Sequence, residues 1–121
     1  IVEGRWTPET GAEGVETLRQ RRVGYSALVA SNDDMAVGAM KQLHQLGVKV
    51  PEQVSVVGFD DIALAPFMVP ALSSVKVPVT EMIKESINRL IFMLDGGDFK
   101  FQQTFSGELI ERDSMVPGPH A

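Results

Sequence analysis

Two groups of acidic and amide side chains follow directly on apolar segments of this 121-residue chain. Residues 55–59 run into Asp60 and Asp61, and residues 25–30 run, after one serine, into residues 32–34. Carboxylates in such positions can take part in catalysis, ligate a cation, accept hydrogen bonds from a ligand or cap a helix. Which of these they do depends on the groups that the fold places beside them.

The segments that must position these residues alternate between strand and helix patterns, which is typical of an α/β fold. Buried strands are predicted at 25–30 and 54–59, an extended segment at 72–77, and a last strand or hairpin at 101–112. Helices are predicted from Thr7 to about Gln20, over 34–46 with Asn32 or Asp33 at its start, and from Thr80 to Gly96. The last helix carries a strong apolar stripe: Met82, Ile83, Ile87, Leu90, Ile91 and Leu94.

The two polar groups are expected to meet at one edge of the sheet. In open α/β sheets, ligands bind outside the carboxyl ends of the parallel strands. Helix capping is the alternative for Asn32, Asp33 or Asp60 taken singly, because Asn and Asp are good N-cap residues. Two such groups at neighbouring strand ends favour a binding site over capping alone.

The chain offers little that would turn these acids into a catalytic site. It contains no Walker loop and no HExxH, GxSxG or GxGxxG motif. His44 lies inside the helix predicted at 34–46, and His120 lies in the tail. We therefore expect no enzymatic activity, no metal and no cofactor.

Aromatic and apolar loop residues suggest contact surfaces. Trp6, the only tryptophan, lies in a loop on the predicted carboxyl-end face, where an aromatic ring beside Asn and Asp suits a sugar. The alternative is that Trp6 attaches its loop to the core. Phe67 and Met68 follow Pro66, and the pattern fits a contact surface and an ordinary core position equally well.

Composition limits the partners of the chain. Its net charge is −5, which argues against a nucleic-acid-binding surface. It has no cysteine, which fits a cytosolic setting, and no apolar run approaches the roughly 20 residues that span a bilayer. Because the first residue is Ile1 rather than Met, we expect a piece of a longer protein.

Four segments resemble motifs of LacI-type repressors. Residues 30–40 are similar to the family's ANDxMAxGAM, 50–61 to VPxxVSVVGFDD, 70–75 to PxLTTV and 109–114 to LIxRxS. The resemblance implies an amino-terminal helix-turn-helix followed by a two-lobed core similar to type I periplasmic sugar-binding proteins. This chain would then be an incomplete three-layer α/β lobe with a parallel sheet.

The resemblance also implies how the chain divides. Residues 1–76 would belong to the carboxyl-terminal lobe, and 77–98 to the crossover and a helix of the amino-terminal lobe. Residues 99–116 would contain the strand that returns to the first lobe, and 117–121 a flexible tail. Without the other lobe, the apolar stripe of the last helix would lack its packing partners, so the isolated chain is expected to dimerise, rearrange that helix or be poorly stable.

Matching the motifs residue by residue implies roles for individual side chains. Trp6 matches the aromatic residue that stacks on the sugar, and Asn32 and Asp60 match positions that hydrogen-bond the hydroxyls of the effector. Asp61 is expected to support the loop. The positions matching the dimer interface are Val37, Phe67 and Met68. Val77 and Val79 match crossover positions where some members carry polar or aromatic side chains. Because both are aliphatic here, the resemblance does not determine which aglycone, the non-sugar part of a glucoside, would be bound.

The implied function is effector binding and dimerisation within a cytoplasmic repressor. The expected partners are a small sugar or β-glucoside, a second copy of the chain, and operator DNA only through an amino-terminal domain that this chain lacks; no membrane is involved. The effector would act by changing the angle between lobes. The alternative is a periplasmic-type sugar-binding protein without DNA binding.

Overall fold

The computed structural model describes residues 1–98 and 102–118. Residues 99–101 and 119–121 lie outside that description. The segments predicted at 101–112 and 99–116 therefore begin outside it, and the tail predicted at 117–121 ends outside it. His120 also lies outside it.

The described residues form a four-stranded sheet with three α-helices. The elements are α1 (Pro8–Gln20), β1 (Ala27–Val29), α2 (Asp33–Gln45), β2 (Ser55–Asp60), a 3-10 turn (Ala65–Phe67), β3 (Ser73–Lys76), α3 (Val79–Leu94) and β4 (Glu108–Ile110). The strand order is β1-β2-β3-β4, with the first three strands parallel and β4 antiparallel to β3. The carboxyl ends of β1, β2 and β3 therefore share one edge of the sheet, as the α/β pattern predicts.

Local signals set the helix ends where they were expected. Thr7 and Pro8 occupy the N-cap and first position of α1, although the Thr7 side chain makes no capping hydrogen bond. The Asn32 side chain caps α2 by accepting from the Met35 N–H at 2.9 Å. Gly47 has φ 73° after α2, where a glycine accepts a left-handed backbone without strain.

The core forms where α2 covers one face of the sheet. It combines apolar residues of α1, α2, β2 and the connections around them: Val15, Ala30, Ala36, Ala39, Met40, Leu43, Val54, Val56, Ala65 and Leu72. Two glycines let α1 and α2 approach closely, because a Cβ at Gly11 would overlap the Met35 carbonyl and one at Gly38 the Pro8 carbonyl. This close packing holds the loop before α1 next to the start of α2.

The expectation of buried strands at 25–30 and 54–59 is wrong in part. Strand β1 is only three residues long, and Val29 in it is 79% exposed. In β2, Val56 and Gly58 are buried while Phe59 is 42% exposed. The alternation shows that only one face of these strands is covered within the described residues, whereas a strand buried on both faces was expected.

Helix α3 has no buried residue, and its whole apolar stripe is exposed. Exposure ranges from 37% for Met82 to 77% for Leu94. The assignment of 77–98 to another lobe stays a prediction. Over the described ranges, none of the helices has the length and apolar content that crossing a membrane requires.

Candidate ligand-binding site

Asn32 joins the loop of Trp6 to the carboxyl end of β1. Its side-chain amide donates to the Trp6 carbonyl at 3.1 Å, while its side-chain oxygen accepts from the Met35 N–H. Asn32 therefore caps α2 and also holds the loop. The amide group still has a second N–H for another acceptor.

The Trp6 side chain faces solvent at this edge. It is 66% exposed, so it does not attach its loop to the core. The loop is held by other groups: the buried Thr10 hydroxyl accepts from the Arg5 N–H at 3.1 Å and donates to the Thr7 carbonyl at 2.9 Å. Trp6 has φ 65°, an unusual backbone region for a residue with a bulky side chain.

The tip of β2 has two consecutive non-glycine residues with positive φ. Asp60 has φ 110° and Asp61 has φ 55°. Such conformations cost about 1–3 kcal/mol each and persist only where surrounding contacts hold them. Here the Asp61 N–H donates to the Ser74 hydroxyl at 3.1 Å, and the Ile62 N–H donates to the Asp33 carboxylate at 2.8 Å.

The Asp60 carboxylate is exposed and lies close to the start of α2. Partial burial, followed by the charges of Asp33 and Asp34, raises its pKa above the usual value. Asp33 also accepts from the Ile62 N–H of the turn that follows Asp60, so the two polar groups predicted from the sequence lie next to each other. A raised pKa also means that ionised Asp60 would gain from hydrogen-bond donors such as sugar hydroxyls.

The Asp61 carboxylate is already engaged within the protein. It accepts from the Arg112 guanidinium at 2.7 Å, and both side chains are largely buried. The adjacent acids thus have different surroundings: Asp60 faces solvent at the strand ends, while Asp61 is bound to the segment after β4.

The sequence did not reveal the part that Asp33 plays in this site. The sequence predicts Asp33 as a member of the polar group 32–34 or as a helix start or cap, whereas its side chain is completely buried. Its two carboxylate oxygens accept from the Ser74 hydroxyl at 2.6 Å and from the Ile62 N–H. The signal in the sequence was the pair of consecutive serines, Ser73 and Ser74, in one strand, together with Gly58 in the neighbouring strand.

Two of the three residues predicted for a dimer interface lie on one side of α2. Val37 and Met68 line a common groove of about 590 Å³, with Lys41 and His44 among the other lining residues. Phe67 is 78% exposed, which fits a contact surface rather than a core position. Met68 also packs against the core.

No group of three or more His, Asp or Glu side chains within residues 1–98 and 102–118 is placed to hold a metal ion. Trp6, Asp60 and Asn32 offer an exposed aromatic ring, a carboxylate and a side-chain amide, groups that can stack on and hydrogen-bond a hydroxyl-rich molecule.

Residues 1–115 match the family described as periplasmic binding protein-like domain. The chain is 72% identical over 116 residues to the HTH-type transcriptional regulator AscG of Escherichia coli (strain K12). That match covers 96% of this chain and 34% of the relative, so the chain spans about a third of the relative's length.

Two solved structures have the same fold. A sugar-binding transcriptional regulator of the LacI family from Escherichia coli, complexed with phosphate, aligns with TM-score 0.87 and 72% identity over 96% of this chain and 42% of that one. The complex of the transcriptional regulator CelR with cellobiose aligns with TM-score 0.86 and 29% identity over 92% of this chain and 34% of that one.

Proposed function

The chain belongs to the periplasmic binding protein-like domains of LacI-family transcriptional regulators, and on this basis we propose that it is part of the effector-binding core of a transcriptional repressor. Its effector is a small sugar, and more narrowly a β-glucoside. The protein acts in the cytoplasm as a homodimer that binds operator DNA through a helix-turn-helix outside this chain. The relatives AscG of Escherichia coli and ExuR of Bacillus subtilis carry the names of transcriptional regulators, and this supports the proposal that the chain is not an enzyme.

One observation carries the sugar-binding part of the proposal. Asn32 hydrogen-bonds the backbone of Trp6, while the adjacent Asp33 accepts from the Ile62 N–H, which belongs to the turn that follows Asp60. The loop that carries the exposed Trp6 ring thereby meets the hydrogen-bonding polar groups at the same strand ends. The ring offers a stacking surface for sugar C–H groups, and the carboxylate accepts from hydroxyls.

Two features favour a β-glucoside over other sugars. The similar regulator CelR has been solved with cellobiose, which is a β-glucoside. An apolar cavity of about 430 Å³ is lined by Phe59, Val77, Met82 and Phe105, and Phe59 directly precedes Asp60. Aliphatic and aromatic side chains there suit the aromatic aglycone of arbutin or salicin and also the C–H face of the second glucose of cellobiose.

The effector would act as a hinge-type switch. The sugar binds between this lobe and the other one and stabilises one angle between them. That angle determines how the paired helix-turn-helix units span the two halves of an operator. The switch works only to the extent that the sugar binds one conformation more tightly than the other.

Calorimetric titration of the full-length protein with cellobiose, arbutin and salicin tests the sugar assignment. We expect Asp60→Asn to weaken binding by about tenfold or more, because a hydrogen bond to a charged group is lost. Trp6→Ala should weaken it too, whereas Asp61→Asn should retain binding in protein that remains folded. The site assignment fails if Asp61→Asn abolishes binding and Asp60→Asn leaves it intact.

The homodimer is proposed from Phe67, Met68 and Val37. Phe67→Glu in the full-length protein should shift the mass measured by light scattering from dimer to monomer, because a charge would be buried in the interface. Val23→Glu is the matched control, since Val23 is 47% exposed and outside the proposed interface. A Phe67→Glu protein that stays dimeric would remove Phe67 from the interface.

A periplasmic-type sugar-binding protein without DNA binding is the second candidate. It would use the same site, but the HTH-type relative does not favour it. The sequence upstream of this chain in the gene distinguishes the two, since a helix-turn-helix excludes the second candidate and a signal peptide excludes the first. Operator binding in a gel-shift assay gives the same answer independently.

A further inference from the structure

We infer that Asp33 and Ser74 together are positioning residues for Asp60: they hold the turn after β2 that directs the Asp60 carboxylate toward the effector. This inference rests on the proposed function, since it takes Asp60 as the residue that contacts the sugar.

Asp33 is a buried carboxylate with a task other than helix capping. The N-cap of α2 is already supplied by Asn32, whose side chain accepts from the Met35 N–H. The Asp33 side chain is completely buried, a costly state for a carboxylate unless several donors satisfy it. Its donors are the Ser74 hydroxyl at 2.6 Å and the Ile62 N–H at 2.8 Å, so its hydrogen bonds connect the start of α2 to β3 and to the turn after β2.

The same two side chains receive consecutive backbone N–H groups of that turn. The Ser74 hydroxyl accepts from the Asp61 N–H at 3.1 Å, and Asp33 accepts from the Ile62 N–H. These bonds hold the peptide groups that follow Asp60, where φ is 110° and then 55°. Without these hydrogen bonds the turn can relax to a more favourable backbone conformation, and the Asp60 side chain would then point in another direction.

Gly58 completes the arrangement on the β2 side. A Cβ at this position would overlap the Asp33 carboxylate, so the glycine provides the space that the carboxylate occupies. The start of α2, the tip of β2 and the interior of β3 therefore meet at one side chain. A fully buried contact among three elements is suited to fixing a direction, because no part of it can move without losing a hydrogen bond.

The competing interpretation is that Ser74 and Asp33 contribute only to stability. Ser114 provides a matched comparison, because it is equally buried and its hydroxyl also donates once and accepts once. It donates to the Val56 carbonyl at 2.6 Å and accepts from the Ser73 N–H at 2.8 Å. Neither of its hydrogen bonds involves the turn after β2.

The experiment uses the full-length protein with Ser74→Ala, Ser114→Ala and Asp60→Asn, titrated with cellobiose at a temperature where each is folded. We expect Ser74→Ala to weaken binding by about five- to tenfold and Ser114→Ala to leave it unchanged, although both lower Tm. Ser74→Thr, which keeps the hydroxyl and has the residue type of the LTTV motif, should restore affinity. In the Asp60→Asn background, Ser74→Ala should have no further effect, because it acts through Asp60.

Amide hydrogen exchange of residues 60–62 provides a readout that needs no sugar. Ser74→Ala should speed exchange there more than Ser114→Ala does. Equal exchange, or equal loss of affinity in the two serine variants, overturns the positioning role. If Asp60→Asn binds cellobiose as tightly as the wild type, the proposed site is wrong, and if the wild type does not bind cellobiose, the proposed ligand is wrong. In both cases amide exchange still reports whether Ser74 holds the turn.

Discussion

The Arg112 guanidinium donates 2.7 Å hydrogen bonds to the Asp61 carboxylate and to the Leu72 carbonyl. Arg112 follows β4, and Asp61 follows β2, so the ion pair joins residues that are 51 positions apart in the sequence. The Arg112 N–H also donates to the Ser73 hydroxyl at 2.8 Å. The segment after β4 is thereby attached both to the turn of the candidate site and to the start of β3.

Arg112→Ala should lower the free energy of unfolding substantially. The Asp61 and Arg112 side chains are only 14% and 17% exposed, and removing one partner of a buried pair leaves the other charge uncompensated. We expect a loss of about 2–4 kcal/mol in urea unfolding of the full-length protein. Arg19→Ala is the control: it breaks an ion pair of similar length, 2.6 Å, whose Arg19 side chain is 59% exposed, and should change stability little. Equal losses would show that burial of the Asp61–Arg112 pair has no effect.

Gly58→Ala and Gly14→Ala should have opposite effects. A methyl group at Gly58 would overlap the buried Asp33 carboxylate, and we expect a loss of about 1–3 kcal/mol or more in urea unfolding. Gly14 lies within α1 and has nothing within 4 Å of its added Cβ. Alanine there should add up to about 1 kcal/mol, since Gly is a poor helix former. A Gly58→Ala protein of normal stability would mean that Asp33 can move without cost.

Asp60→Asn should raise Tm at neutral pH but not in acid. The pKa of Asp60 is raised above its usual 3.8, chiefly by partial burial and then by the charges of Asp33 and Asp34. The folded state therefore holds this proton more tightly than the unfolded chain, and stability falls as the pH rises from 3.8 through the raised pKa. Asparagine does not ionise, so its stability does not fall in this way. Calorimetric scans should therefore show a higher Tm for Asp60→Asn at pH 7 and no difference below pH 3.8. A difference that does not vary with pH would point instead to the tolerance of Asn for positive φ.

The 121-residue chain expressed alone should associate through α3. Ile83, Ile87 and Leu90 are each more than half exposed along one stripe of this helix. Contiguous apolar surface of this kind favours association and binding of hydrophobic dyes. The double substitution Ile87→Gln and Leu90→Gln should lower both the mass measured by light scattering and the dye fluorescence. Val23→Gln with Val116→Gln is the control at two 47% exposed positions outside α3, and a monomeric wild-type chain without dye binding would contradict the prediction.

The fold class and most element boundaries could be predicted because their signals are local. Thr7 with Pro8, Asn32 and Gly47 act on backbone groups within one turn of their own position. Strand burial could not be predicted in the same way. Val29 and Phe59 are apolar strand residues whose exposure depends on whether another layer covers their face of the sheet, and the residue types alone do not report this.

The location of the candidate site could be predicted from the sequence, but the contacts between its residues could not. The convergence of the two polar groups follows from parallel strands with a common carboxyl edge. The ligand-binding roles of Trp6, Asn32 and Asp60 stay predictions, and so do the interface roles of Val37, Phe67 and Met68. The exposure of Trp6 supports its role, whereas Asn32 also caps a helix and holds a loop.

The sequence by itself determined the α/β pattern, the helix ends, and the approach of residues 32–34 to Asp60 and Asp61. Only the tertiary structure decided which partners each acid has, because three chemically equivalent carboxylates differ only in contacts that are distant along the chain. Asp33 is buried against Ser74, 41 residues away, and Asp61 is paired with Arg112, 51 residues away. Asp60 remains exposed at the strand ends because the hydrogen bonds of its neighbours hold the turn between them.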